Sequence, residues 1–187
     1  VWTRAELEQT LAILERHDLW AITDEIYEYM TYDGREHVSL GSLPGAYPRT
    51  VTLSGFSKTF NMTGWRLGYS LWPSSLIASA TRLAINCHSC VNAPTQFAGI
   101  EALTGPQSRV DDMCLAFDER RKVIVEELNN IPGFSCIEPG GAFYAFPNIT
   151  GTGISCFNFV WSVTPRKRGH NTSTSAYLFA SAAIPKQ

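Results

Sequence analysis

The last 37 residues of this 187-residue chain contain no acidic residue. All 17 Asp and Glu lie before residue 151, while Arg166, Lys167, Arg168 and Lys186 follow it. Residues 1–150 therefore sum to 11 − 17 = −6 and the remainder to +4, leaving a formal net charge of −2. No excess of one sign over the whole chain points to nucleic acid or to an anionic membrane. No apolar run approaches the length of a membrane span, and no signal peptide opens the chain. Cysteine is sparse, scattered and odd in number: Cys87, Cys90, Cys114, Cys136 and Cys156. That usage fits a reducing compartment. Cys87-His-Ser-Cys90 lacks a second pair at usable spacing, so a loop is expected there and not a zinc site. A starting methionine is absent as well. Val1 stands a few residues before a helix signal, and an incomplete chain is the expectation.

What is present reads as a globular α/β chain, with 44% hydrophobic and 17% charged residues. Thr3-Arg-Ala-Glu6 is a capping box, and Leu7, Leu11 and Leu14 follow at helical spacing, which predicts a helix over 4–17. Leu19 to Thr23 reads as a buried strand that Asp24 and Glu25 end. Thr50–Ser54 and Arg66–Leu71 read as further strands. Helices are expected over 74–86, 94–103 and 108–129, the second opened by Pro94. Val110, Met113, Cys114, Phe117, Arg121, Ile124 and Leu128 mark one face of the third. Phe134–Glu138 and Ala142–Phe146 read as two strands around Pro139-Gly-Gly141. Strands separated by helix or long loop argue for an α/β layer.

Two places carry chemistry. Ser54 to Tyr69 reads Ser-Gly-Phe-Ser-Lys-Thr-Phe-Asn-Met-Thr-Gly-Trp-Arg-Leu-Gly-Tyr. Lys58 follows a strand among small and hydroxyl neighbours, a position from which a side chain can enter a pocket. Arg66, eight residues on, offers a planar fork suited to a phosphate. The plain alternatives are a surface turn and an arginine paired with an acid. Asp24 is the second place. A carboxylate at the end of a buried strand is costly without a partner, though Asp also caps helices well. Tyr27, three residues on, can simply fill core.

The whole Ser54–Tyr69 string, with Asp24-Glu-Ile-Tyr27 placed 34 residues before Lys58 and Pro139-Gly-Gly-Ala-Phe-Tyr144 after it, resembles the class I and II aminotransferases. These are pyridoxal 5′-phosphate (PLP) enzymes of fold type I. The resemblance implies a partial large domain over 1–106, holding a mixed, mostly parallel sheet with helices. It implies an interdomain helix and part of the small α+β domain over 107–153. It makes Lys58 the lysine bonded covalently to PLP and the proton carrier of catalysis. Asp24 would face the pyridine nitrogen, Tyr27 the phenolic oxygen and Arg66 the phosphate. Ser57, or Ser54 in its place, would be a second phosphate ligand.

The same resemblance implies amino-acid and 2-oxo-acid substrates, a cytoplasmic homodimer, and neither nucleic-acid nor membrane partners. A lyase or cyclising enzyme of the same fold, or a non-catalytic PLP-sensing effector domain, stays open at this point. The family's glycine-serine phosphate loop, ring-stacking aromatic and phenol-binding asparagine have no counterpart in the chain, so little turnover is expected of it alone. The match ends near Gly153. Residues 154–187 lack the family's carboxylate-binding arginine segment, and Arg166 and Arg168 do not replace it. A tail that is divergent or read out of frame is the expectation. The parent DNA tests it: a family-type ending in another frame supports the shift, and none in any frame contradicts it.

Overall fold

A computed structural model describes residues 1–154. The expectations for the tail, including those for Arg166 and Arg168, lie outside the described residues. The chain divides into two compact units. Among the described residues, one comprises Val1–Ala116 with Gly140–Ala142; the other comprises Phe117–Pro139 and residues 143–154.

The first unit opens with helix α1, Arg4–Arg16. Its capping box forms as read. The Thr3 hydroxyl accepts from the Glu6 amide at 3.3 Å, and the Glu6 carboxylate accepts from the Thr3 amide at 2.7 Å. The Thr3 amide and, at 2.7 Å, the Thr3 hydroxyl donate to the Glu6 carboxylate and hold it below its ordinary pKa. Leu7 and Leu11 are buried and Leu14 packs beside them, against Leu40, Leu43 and Ala46 of the loop that follows the first strand. This cluster seats α1 next to strand β1, Ala21–Asp24. The strand begins later than expected: Leu19 and Trp20 precede it and are about half exposed.

Strand β2 is Thr50–Gly55 and strand β3 is Gly68–Leu71, giving the sheet order β1-β2-β3. β1 and β2 run parallel, with Asp24 opposite Leu53. β2 and β3 run antiparallel, with Gly55 opposite Gly68. A Cβ on Gly55 would meet the Gly68 Cα at 3.0 Å and the Leu67 carbonyl at 3.2 Å. Glycine is therefore what lets the two strands close at this end. Helices α2 (Ile77–His88) and α3 (Ala93–Thr104) follow. The expected apolar face of α2 is present but uncovered, since none of its residues is buried and Leu83 is 61% exposed. Asn92 caps α3 by accepting from the Thr95 amide at 3.0 Å.

Helix α4, Ser108–Asn129, has the bounds its periodicity predicts. Within the second unit, Arg121 is 5% exposed, although it stands on the helix's apolar stripe. Its guanidinium donates to Asp118 at 2.9 Å and 2.7 Å and to the Pro139 carbonyl at 2.9 Å. Glu138 stands 3.4 Å away. Lys122 also reaches Asp118, at 2.7 Å, and this bond, with Arg121, holds the Asp118 carboxyl below its ordinary pKa. Phe117 stacks on Phe143 at 5.3 Å.

The two strands expected around Pro139-Gly-Gly141 do not form. Ser135 and Asn148 make one isolated bridge, and Gly141 pairs singly with Thr31. Ala142 takes a left-handed φ of 59°, which interrupts extended backbone where the second strand would start. Ile137 is left 89% exposed. No further strand among the described residues lies beside this pair, and a lone two-stranded ladder is only marginally stable.

Arg121→Met should lower the unfolding free energy by about 2 kcal/mol in urea titrations, because a buried hydrogen-bonded cation is lost. The carboxylate end of this pair also sets a pH dependence. The Asp118 pKa is depressed, so its stabilisation is present above the ordinary carboxylate range and is lost as pH falls through the lower folded value. The acid-side slope of melting temperature against pH should be shallower in Arg121→Met.

Candidate active site

Register alone gathers the candidate residues at one end of the sheet. Asp24 is the last residue of β1 and lies opposite Leu53 in the parallel partner. The Glu25 amide donates to the Leu53 carbonyl at 2.8 Å and carries the ladder one step further. Lys58 sits three residues beyond the end of β2. Because β3 is antiparallel, its start lies beside that end, and Arg66 stands two residues before it. The carboxyl ends of parallel strands are where open α/β sheets place ligands.

The segment from Phe56 to Arg66 is held tightly. Phe60 and Met62 amides both donate to the Phe56 carbonyl at 3.3 Å, and the Asn61 amide donates to the Lys58 carbonyl at 3.1 Å. Beneath it Phe56, 5% exposed, contacts the rings of Phe60 and Tyr69 at 5.5 and 5.8 Å. Gly99 of α3 lies against it as well. A Cβ there would meet Leu67 Cδ2 at 2.5 Å and Phe56 Cζ at 3.3 Å.

This segment also concentrates local costs. Asn61 and Arg66 have φ of 53° and 55°, left-handed values that L residues adopt unwillingly. Thr59, beside Lys58, is 2% exposed, and its hydroxyl has no hydrogen-bond partner. An unpaired buried hydroxyl costs about 1–3 kcal/mol. Costs of this kind gather at functional sites, where surrounding structure over-determines them.

The side chains divide between two cavities. Asp24 is exposed, and one of its oxygens accepts from the Ile26 amide at 3.3 Å. It caps a turn there, since residues 26–29 do not form a helix. Half-buried Tyr27 lines the same cavity, of about 640 Å³. Arg66 lines a different cavity, of about 850 Å³, with His88, Cys90, Asn92 and Thr95 among its neighbours. The Arg66 guanidinium folds back on its own turn and donates to the Thr63 carbonyl at 3.1 Å. Ser57 and Lys58 are half-buried and line neither cavity. Backbone register thus brings these positions toward one sheet end, and neither of these two cavities joins all five.

Ser54 is bonded to an acid. Its hydroxyl donates to Glu28 Oε1 at 3.0 Å, and the Tyr69 hydroxyl donates to the same oxygen at 3.0 Å. A carboxylate at that distance repels an added anion. Burial pushes the Tyr69 hydroxyl's pKa up, and the Glu28 charge adds to the shift. Glu25 is the feature that sequence reading passed over. Its carboxylate, 9% exposed, accepts from Thr23 at 2.9 Å and Ser39 at 3.0 Å, and lies 2.8 Å from His37 Nε2. The available signal was a second acid directly beside Asp24 at the end of an apolar strand.

With that geometry in view, the comparisons with known proteins agree on one family. The family model for aminotransferase class I and II matches residues 1–174, past the point where motif comparison ended. Aspartate aminotransferase of Geobacillus stearothermophilus is 42% identical over 149 residues, which is 79% of this chain and 38% of the relative. Aromatic-amino-acid aminotransferase 2 of Thermococcus litoralis is 38% identical over 161 residues, 85% of this chain and 41% of the relative. In structure, the aromatic aminotransferase from Pyrococcus horikoshii OT3 superposes with a TM-score of 0.81 at 39% identity, over 85% of this chain and 43% of that one. The chain belongs to the class I and II aminotransferase family, whose members are PLP-dependent. It carries part of their α/β fold and spans about two-fifths of the length of these relatives.

Thr59→Val should raise the unfolding free energy by about 1 kcal/mol in urea titrations, because it removes a buried hydroxyl that has no partner. A loss of similar size would show that the hydroxyl is satisfied in solution.

Proposed function

We propose that the chain carries the cofactor-holding part of a PLP-dependent aminotransferase, which moves an amino group from an amino acid to a 2-oxo acid. The observation that carries this reading is the register that brings Asp24, Lys58 and Arg66 to one sheet end. The donor set is complementary to the cofactor's functional groups. Arg66 matches a phosphate dianion, Asp24 a protonated pyridine nitrogen, Tyr27 a phenolic oxygen and the Lys58 amine an aldehyde carbon. Ser57, next to Lys58, adds a hydroxyl donor for the phosphate, whereas Ser54 is engaged with Glu28. When bound, PLP supplies an electron sink for negative charge developing at the substrate α-carbon.

The chain's own residues do the rest. The Arg66 fork offers two parallel N–H donors and fixes the phosphate end. The Asp24 carboxylate, held at one oxygen by the Ile26 amide, would hold a protonated pyridine nitrogen. The Tyr27 hydroxyl would donate to the phenolic oxygen. Lys58 Nζ would hold the cofactor's aldehyde carbon and, once free, would act as the base that takes the substrate α-carbon proton and then as the acid that gives it up.

Aspartate and aromatic amino acids, named in the relatives above, are the first substrates to test. A cytoplasmic homodimer is inferred from the resemblance, and scattered cysteines fit a reducing compartment. Residues 1–187 alone should show little keto-acid formation, since the family's phosphate loop, ring-stacking aromatic and phenol-binding asparagine have no counterpart in them.

The phosphate assignment gives a direct test. Arg66→Ala should weaken PLP binding to the chain about 100-fold while leaving binding of pyridoxal, which lacks the phosphate, within about twofold. Equal losses for both ligands would contradict the assignment.

A further inference from the structure

We propose that Glu25 and His37 form a positioning pair for Asp24, a role that rests on the cofactor reading above. Glu25 adjoins Asp24 and is 9% exposed. A buried carboxylate is costly unless its oxygens are fully engaged, and here three side chains converge on it. Thr23 and Ser39 donate to Oε1 at 2.9 and 3.0 Å, and His37 Nε2 meets Oε2 at 2.8 Å. An ionised carboxylate only accepts, so with Glu25 ionised the donor of that last bond is His37 Nε2.

Side chains alternate along a strand, so Thr23 and Glu25 share the face opposite Asp24. Both neighbours of Asp24 are thereby tied on one side. The Glu25 amide is tied to Leu53 across the sheet at 2.8 Å, and the Glu25 carbonyl accepts from the Glu28 amide at 3.0 Å. The last of these bonds starts the turn that carries Tyr27. One buried residue therefore fixes the strand end that presents Asp24 and the turn that presents Tyr27. Asp24, Glu25, Tyr27 and His37 all line the same cavity.

Stability alone gives no reason for the arrangement, because apolar residues of similar volume commonly replace a buried charge network without loss. Its place beside Asp24 does give one. His37 and Ser39 arrive from a loop 12 and 14 residues further along the chain. That loop also supplies Leu40 to the core against α1, so the anchor is itself held. Neither Glu25 nor His37 needs to touch the cofactor. They act through Asp24.

The test is a double-mutant cycle on PLP binding by the 187-residue chain. His37→Ala should weaken binding about tenfold, and His37→Gln, whose amide can still donate to Glu25, should restore most of it. In an Asp24→Asn background, His37→Ala should change binding by no more than about twofold. Equal losses in both backgrounds would overturn the proposal, because a general structural defect ignores what stands at position 24. Ser39→Ala repeats the cycle should His37→Ala not fold.

Backbone amide exchange separates failure of this idea from failure of the cofactor reading. If the unsubstituted chain takes up no PLP, the cofactor reading fails for this chain. Exchange at residues 24–28 then decides the positioning role. At least about tenfold faster exchange there in His37→Ala, with α1 unchanged, supports the pair. Unchanged exchange at 24–28 rejects it.

Discussion

The parallel register between Ala21–Asp24 and Thr50–Gly55 is the constraint on which the rest depends. Each backbone bond between these strands places a candidate residue. Asp24 opposite Leu53, and the Glu25 amide on the Leu53 carbonyl, set how far β1 reaches. The same strand, two residues after Leu53, ends at Gly55 and releases the chain into the Lys58 turn. A slip of one residue would exchange the faces of Thr23 and Asp24 and turn the Asp24 carboxylate toward Ser39 and His37. The Gly55–Gly68 contact then brings β3 close enough that Arg66 returns to the same end.

Packing holds this end rigid while local chemistry stays costly. The aromatic rings of Phe56, Phe60 and Tyr69 and the glycine contact of α3 clamp the Lys58 segment from below. Above them stand two left-handed non-glycine residues and an unpaired threonine hydroxyl. Segments that carry such costs without support unfold locally. Here the support comes from the sheet and from α3. The Glu25 network serves the neighbouring strand end in the same manner, by spending buried polar contacts on orientation and not on net stability.

Much of this was legible from the residues because local rules and tertiary structure agreed. Thr3 and Glu6 capped α1 as their spacing implies, and Leu7 and Leu11 became core. The bounds of α4 followed from its apolar stripe. Legibility ended wherever a residue's state depends on a distant neighbour. Arg121 reads as an interruption of an apolar face, but Asp118 beside it and Pro139 far along the chain make it a buried pair. Glu25 looks like a strand terminator until His37 and Ser39 fold back on it. The segments 134–138 and 142–146 have strand composition, yet a strand needs a partner, and none of the described residues supplies a ladder. Ser57 reads as the phosphate donor with Ser54 as its alternative, and the bond from Ser54 to Glu28, a residue of another turn, appears only in the fold. Lys58, Arg66 and Asp24 stood out by motif, but that Asp24 and Arg66 line different cavities was invisible without the fold.

The central claim is that Lys58 is the residue prepared to bond PLP. The most direct measurement is borohydride reduction of the chain after incubation with PLP, followed by peptide mass mapping of every lysine. Four compete: Lys58, Lys122, Lys167 and Lys186. The account predicts that the pyridoxyl mass falls on Lys58, at close to one equivalent, and that the label is lost in Lys58→Ala. Label spread evenly over the four lysines, or unchanged in Lys58→Ala, would contradict it.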